Sequence, residues 1–184
     1  LPTILNAGRA TYTGGELEIT ALPAEGWQID ANLGYVSPEY ENYLYIDPTT
    51  GQSLNLANEA KFTGISKLNY NVGIQYEFPP MPAGDLIARV DYSYKSPKVW
   101  FPLDILNPFN DAVQSYAWHT LGARIMLENI PLGWNNMTLK AELWGQNLLD
   151  EAQRLGGDDF GALGFGTVTY GRMRTVGFNL TAGF

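Results

Sequence analysis

The sequence predicts an all-β fold, an antiparallel up-and-down meander of about seven long strands. Three observations predict it: seven segments alternate apolar and polar residues with a period of two, the segments are long, and short turns alternate with long loops between them. The composition agrees, because 13% of residues are aromatic, 20 are glycine and only 16% are charged, which favours strands and turns over helices.

The first three strands are predicted in segments 16–21, 27–35 and 68–78. In the first segment leucine, isoleucine and alanine alternate with glutamate and threonine. The second segment reads WQIDANLGY and alternates without a break, and the third does the same around its asparagine, glutamine and glutamate residues. Each of these strands therefore has one apolar and one polar face.

The last four strands are predicted in segments 86–95, 120–128, 137–146 and 175–184. Their polar positions carry charged residues as well as serine, threonine and asparagine, with Ile87 as the one apolar residue on that side. The apolar positions of all seven segments carry no Asp, Glu, Lys or Arg. This asymmetry indicates that the two faces meet very different surroundings.

The connections between strands alternate in length. Segments 23–26, 79–84 and 129–136 are short and rich in proline, glycine or asparagine, whereas segments 37–66, 96–114 and 148–166 are long and aromatic. Short turns at one end of a sheet and long loops at the other are typical of outer-membrane β-barrels, with turns in the periplasm and loops outside the cell.

Composition and charge exclude several other classes. The formal net charge of −8 and the lack of any Lys/Arg run argue against a nucleic-acid partner. The absence of cysteine excludes disulfides and thiolate metal sites. No stretch approaches the roughly 18 apolar residues of a membrane helix. The chain starts with Leu1 and no signal peptide, from which we expect sequence upstream.

A soluble β-sandwich also alternates, and it is the main structural alternative to a membrane barrel. Strand length favours the barrel, because tilted membrane strands need about 9 to 11 residues and soluble strands average about 5 to 6. The uncharged apolar face favours it too, since a charge at the bilayer midplane costs roughly 2 to 4 kcal/mol. Aromatic residues on that face near strand ends fit interfacial girdles; they are Trp27, Tyr35, Tyr76, Phe78, Tyr92, Tyr94 and Phe184.

Several motifs resemble those of one known family, the TonB-dependent receptors. Segment 6–35 resembles the family's "NAGxA…KGxExE…P…G…LGY" strand pair, with Thr13 in place of the usual Lys. Segment 144–151 is similar to its "NLTDE" segment, with Leu149 in place of Thr. Segment 170–184 resembles its closing "YGxPRTxGxxLxxxF" strand, with Met173 in place of Pro.

The resemblance implies a 22-stranded transmembrane β-barrel, of which residues 1–184 would be the C-terminal third, strands 16 to 22. A seven-stranded sheet cannot close a barrel, so we expect the missing strands upstream of Leu1 or, less favoured, in other chains. The resemblance also implies an N-terminal plug domain, which this sequence does not contain. The family imports extracellular nutrients such as siderophores, vitamins or oligosaccharides across the outer membrane of Gram-negative bacteria. The implied partners are outer-membrane lipid, the extracellular ligand, and the TonB complex, which engages a TonB box in the missing region.

Two kinds of functional residue are predicted. The terminal Phe184 resembles the assembly signal read by the barrel-assembly machinery, and its alternative role is that of one more girdle aromatic. Loop aromatics supply stacking area for an extracellular ligand, and the equally open alternative is that they anchor the loops. The predicted ligand-binding residues are Tyr43, Tyr45, Trp100, Phe101, Tyr116 and Trp118.

Catalysis, metal binding and a cofactor are not predicted. His119 is the one histidine, and it sits at the start of a strand beside Trp118, which indicates a rim residue. The charged residues of the polar face fit a water-facing wall better than a catalytic cluster. The alternatives to active transport are a passive porin or outer-membrane enzyme of the same architecture and, less favoured, a soluble carbohydrate-binding β-domain.

Overall fold

The computed structural model describes residues 8–133 and 137–183, and a seven-stranded antiparallel sheet dominates them. The strand order is β1-β2-β5-β6-β7-β8-β11. The predicted all-β class and seven-stranded meander are therefore confirmed. The strands are β1 (Ala10–Ala21), β2 (Trp27–Tyr40), β3 (Leu44–Ile46), β4 (Ser53–Asn55), β5 (Leu68–Glu77), β6 (Asp85–Lys95), β7 (Trp118–Pro131), β8 (Thr138–Gln146), β9 (Arg154–Phe160), β10 (Phe165–Tyr170) and β11 (Thr175–Gly183).

The strands of the main sheet are 9 to 14 residues long, and their register places apolar residues opposite apolar residues. Leu17 pairs with Leu33, and Ile74 lies between Ile29 and Val90 on its two neighbours. A slip of one residue would turn a strand's apolar set to the other face, so this agreement fixes the register. Large apolar side chains are exposed along the whole face; they include Ile19, Ile125, Leu143, Val176, Phe178 and Leu180.

Aromatic side chains collect at both ends of the apolar face. At the end with short turns, the rings of Trp27 and Phe78 each lie 4.7 Å from the ring of Tyr76. At the other end, the ring of Tyr94 lies 5.1 Å from those of Tyr70 and His119. Two aromatic bands thus border the apolar region, as expected for interfacial girdles.

The strand β2 extends five residues beyond its predicted end and includes Pro38. Past Val36, β2 has only β1 as a neighbour, because the pairing with β5 ends at Tyr35 and Leu68. Proline is tolerated at such an unpaired edge, where its missing N–H costs no ladder hydrogen bond. The sheet is also less regular at β7, where a register shift follows Leu127.

The segments predicted as long loops contain regular structure of their own. The strands β3 and β4 form one small hairpin, β9 and β10 form another, and a one-turn helix α1 spans Asn110–Val113. A 3-10 turn at Gly161–Leu163 joins β9 to β10. The predicted motif residues Asn6 and Ala7 and the predicted assembly residue Phe184 lie outside the described residues.

Candidate functional site

Three long connections lie at the same end of the main sheet, and we call them loop A (residues 41–67), loop B (96–117) and loop C (147–174). Loop B lies between the other two and is the best buried. Leu103 and Val113 are only 2% exposed, and Asn110 and Ser115 are fully buried. The Asn110 side-chain amide donates to the Phe101 carbonyl at 3.0 Å and to Asp104 at 2.7 Å. Loop B therefore has a small core of its own.

Loop A contacts loop B through one lysine and two backbone hydrogen bonds. The Lys61 ammonium lies 2.7 Å from Asp104 and 3.4 Å from Asp111, and its backbone N–H donates to Pro102 at 2.8 Å. The Gly64 N–H donates to the Val99 carbonyl at 2.9 Å. The ion pair raises the pKa of Lys61 and lowers the pKa of Asp104, because each charge stabilises the other.

Loop C contacts the opposite side of loop B through an arginine. The Arg154 guanidinium donates to the carbonyls of Ala112 at 2.8 Å and Gln114 at 3.2 Å, and it lies 4.1 Å from the centroid of the Tyr116 ring. The Asp159 carboxylate accepts the Phe109 N–H at 2.7 Å. The three loops are thus joined into one unit, which we call the loop cluster.

The Lys61–Asp104 pair predicts how the contact between loops A and B responds to pH. The pKa of Asp104 is lowered, so the pair contributes stability above the ordinary value of 3.8 and loses it as pH falls through the lowered pKa. The two side chains are 35% and 53% exposed, so this contribution is below about 1 kcal/mol. We expect hydrogen exchange in loop A of the full-length protein, corrected for intrinsic rates, to rise only below about pH 4.

At neutral pH the same exchange measurement should show faster exchange in loop A when Lys61→Met removes the cation. The matched control is Glu41→Gln, which removes the more exposed Arg9–Glu41 pair at 3.5 Å and should leave exchange in loops A and B unchanged. Equal exchange in wild type and Lys61→Met would show that the pair does not hold the two loops together.

The structure places three of the predicted ligand-binding residues in loop B, two in loop A and one at the start of β7. Trp100 and Phe101 lie in loop B and are half-buried, and the Trp100 indole N–H donates to the Val113 carbonyl at 3.0 Å. Tyr116 follows in the same loop and is 52% exposed, and Trp118 begins β7 with the Lys95 ammonium 5.3 Å from its ring centroid. The contacts of Trp100 join parts of one loop, and Tyr116 presents the most open aromatic surface of these four residues.

The two remaining predicted residues, Tyr43 and Tyr45, lie in loop A. Tyr45 lies in β3 opposite Leu54, whereas Tyr43 belongs to an aromatic cluster. The ring of Tyr40 lies 4.9 Å from that of Tyr43 and 3.9 Å from that of Phe62, which also contacts Tyr12 at 5.3 Å. Sequence reasoning missed Tyr12 and Phe62. The one available signal was Tyr12, an aromatic residue in a polar-face position of β1.

The polar face of the sheet carries an ion-pair network. Arg89 on β6 lies 2.9 Å from Asp30 on β2 and 2.8 Å from Asp91 on its own strand. Between the two carboxylates lies Gly73 of β5, which pairs with both aspartates. A side chain at Gly73 would meet the Arg89 guanidinium, so glycine leaves the space that the arginine occupies. The predicted polar wall is present here as paired charges.

A cavity of about 580 Å³ lies between the polar face and loop C. Its lining combines the Trp144 indole with Arg124, Arg172 and Glu142. Gly177 is the β11 partner of Trp144. Because it has no side chain to meet the indole, the ring lies close to the β11 backbone. Sequence reasoning did not single out Trp144, although its polar-face position on β8 is visible in the alternation.

A second cavity of about 410 Å³ lies between loops A and B. Its lining includes Lys61, Lys67 and Lys98 together with the apolar side chains of Phe62 and Val99. Burial lowers the pKa of Lys98, because removal from water destabilises its charged form. The cavity therefore combines positive charge with apolar walls.

His119, predicted as a rim residue, and Asp47, a carboxylate of loop A, both have structural partners. The His119 Nδ1 lies 2.5 Å from the Tyr92 hydroxyl within the aromatic band. The Asp47 carboxylate accepts the backbone N–H groups of Thr49 at 2.7 Å and Thr50 at 3.3 Å, and these bonds lower its pKa. Within residues 8–133 and 137–183, no group of three or more His, Asp or Glu side chains could hold a metal ion. None of the described helices has the length and apolar character needed to cross a membrane.

Comparisons with known proteins fit this architecture. Among solved structures, the ferric yersiniabactin uptake receptor FyuA from Yersinia pestis is similar, with a TM-score of 0.71 and 20% identity. The match covers 97% of this chain and 24% of that chain, so this chain spans about a quarter of its length. No curated protein matches the sequence. The family model of the TonB-dependent receptor-like β-barrel matches residues 2–148, and the chain therefore belongs to this family.

Proposed function

We propose that this chain is part of the barrel of an outer-membrane receptor that binds an extracellular nutrient and imports it with energy supplied through TonB. The observation that carries the proposal is the family match over residues 2–148. In the complete protein, the main sheet would form strands 16 to 22 of a 22-stranded barrel. The plug domain and the TonB box would belong to the region before residue 1.

The two faces of the sheet support this placement. The apolar face, with its two aromatic bands, would contact outer-membrane lipid, and the polar face would contact water and the plug. The loop cluster would then lie outside the cell, where it meets the ligand first. The closing strand β11 and Phe184 would be recognised by the barrel-assembly machinery, which reads an unpaired strand by β-augmentation.

The ligand classes that fit are siderophores, vitamins and oligosaccharides. Tyr116, Trp100 and Phe101 would supply stacking area in loop B, Trp118 at the start of β7, and Tyr43 and Tyr45 in loop A. The similar solved structure is an uptake receptor for ferric yersiniabactin, which favours siderophores over the other two ligand classes.

The proposal is tested by uptake in cells that express the full-length receptor. Radiolabelled ferric yersiniabactin, cyanocobalamin and a maltodextrin represent the three ligand classes, and one of them should accumulate in the cells. Accumulation should be lost in an otherwise identical strain without TonB, because active transport needs the energy of the inner membrane. Equal accumulation with and without TonB would indicate a passive porin, and no accumulation of any of the three would also contradict the proposal.

A further inference from the structure

The lysines of this chain are distributed unevenly. The sequence has 19 acidic and 11 basic residues, of which only five are lysines. Three of the five line the 410 Å³ cavity between loops A and B, and none of the residues that line this cavity is acidic. A local concentration of like charge costs free energy, and in an acidic chain it points to a bound negative charge.

Two residues that line the cavity, Pro38 and Lys67, lie on the polar side of the sheet. Pro38 alternates with the apolar-face residues of β2 and so shares the face of Asp30. The Val36 N–H donates to the Lys67 carbonyl at 2.9 Å, which continues the β2–β5 register and places Lys67 on the same face. This placement favours a small solute on the polar side over a membrane lipid, which would contact the opposite face.

The three lysines differ in how their charges are compensated. The Lys61 ammonium is bonded to Asp104 and Asp111 of loop B, which lie outside the lining of the cavity. Across residues 8–133 and 137–183, neither Lys67 nor Lys98 has a carboxylate partner. The Lys98 ammonium lies over the Trp100 ring, 4.7 Å from its centroid. Two cations in the cavity are therefore available to an anion.

Backbone hydrogen bonds hold the walls around these cations. The Gly64 N–H donates to the Val99 carbonyl at 2.9 Å, which joins loop A to loop B, and the Lys98 N–H donates to the Ser115 carbonyl at 3.0 Å within loop B. Phe62 is stacked on Tyr40 at 3.9 Å. Walls that are already held by such contacts lose less conformational entropy when a ligand binds, which favours affinity.

We propose that this cavity binds a small soluble anion or the anionic group of a larger ligand, a carboxylate or a phosphate, through Lys67 and Lys98. Lys61 holds loops A and B together and so positions the other two lysines. The inference rests on the proposed function, in which a ligand enters from the loop cluster, and it narrows the ligand class to anionic molecules. Burial of Lys98 strengthens the site, because an anion restores the stabilisation that its ammonium loses on leaving water.

The test is calorimetric titration of the purified full-length receptor in detergent with citrate and with inorganic phosphate. Wild type should bind at least one of these anions. Lys67→Met combined with Lys98→Met should weaken that binding by at least about tenfold, the loss expected for charge-assisted hydrogen bonds. Lys67→Arg combined with Lys98→Arg should retain it, because arginine keeps the charge. The matched control is Lys140→Met, a polar-face lysine paired with Glu128 near the short-turn end, which should bind as wild type does.

Two results would overturn the inference: binding of neither anion by wild type, or unchanged binding by the Lys67→Met/Lys98→Met receptor. Purified lipopolysaccharide is titrated in parallel, and saturable binding of it that depends on both lysines would overturn the assignment to a soluble anion. The proposed function is judged separately by TonB-dependent uptake in cells. TonB-dependent uptake that persists in the Lys67→Met/Lys98→Met receptor would support the proposed transport function but would refute the anion site as part of the ligand path.

Discussion

Arginine in place of Ile74 or Leu180 is expected to reduce the amount of full-length receptor in the outer membrane sharply. Ile74 lies between Ile29 and Val90 at mid-strand, and Leu180 lies opposite Ala141, all on the apolar face. Both side chains are exposed on this face, at 42% and 59%. An arginine that faces lipid at the bilayer midplane costs roughly 2 to 4 kcal/mol, a large share of a typical folding free energy.

The matched controls are Asn71→Arg and Asn179→Arg, on the polar face of the same two strands. Asn179 donates to Glu142 at 3.0 Å, so an arginine there would find a carboxylate close by, and the Asn71 amide donates to the Tyr92 carbonyl at 3.4 Å. Membrane fractions probed by immunoblot, and heat resistance of the folded band on gels, measure the outcome. Similar losses from both pairs of variants would show that the assignment of the two faces, or of the membrane itself, is wrong.

The main sheet could be predicted from the sequence because its two faces meet different surroundings. Apolar and polar residues must alternate along each strand, and that period is visible in one sequence without any knowledge of pairing. The same alternation identified Ile87 as an exception, an apolar residue in a polar-face position. The structure pairs it with Met126, which is 9% exposed, so the exception is a small apolar contact on the polar face.

The loop cluster could not be predicted in the same way. The core of loop B depends on polar residues such as Asn110 and Ser115, whose burial follows from three-dimensional hydrogen bonding and leaves no period in the sequence. The hairpin of β9 and β10 contains five glycines across residues 156–166, which sequence rules read as loop. The contact between Phe62 and Tyr40 joins residues from loop A and β2, and no local pattern reports such a contact.

The predicted ligand-binding aromatics show the same limit. Residue type indicated which side chains offer stacking area, but their availability depends on packing: Trp100 hydrogen-bonds within loop B, whereas Tyr116 is half exposed. The lysine cavity was not predicted, because Lys61, Lys67 and Lys98 come from two loops and only the fold brings them together. The count of charged residues showed only that the chain is acidic, and gave no sign of a local cluster of lysines.

Replacement of Arg89 by methionine is expected to destabilise the full-length barrel. The side chains of Arg89, Asp30 and Asp91 are only 14%, 22% and 34% exposed, and Arg89 is the cation that contacts both carboxylates. Without it, the two aspartates would face each other across Gly73, and partly buried unpaired charges are strongly unfavourable. Thermal unfolding of the detergent-solubilised receptor should therefore begin several degrees lower than in wild type.

Two further variants distinguish this network from a general need for arginine on the polar wall. Arg124→Met is the matched control, because Arg124 lies directly opposite Arg89 on β7 and has no carboxylate partner within the described part of the chain. It should leave the unfolding temperature nearly unchanged. The triple variant Asp30→Asn, Arg89→Met, Asp91→Asn should recover most of the loss, since it removes the unpaired charges together with their cation. Equal unfolding temperatures for Arg89→Met and Arg124→Met, or no recovery in the triple variant, would show that the paired charges are not what stabilises this part of the wall.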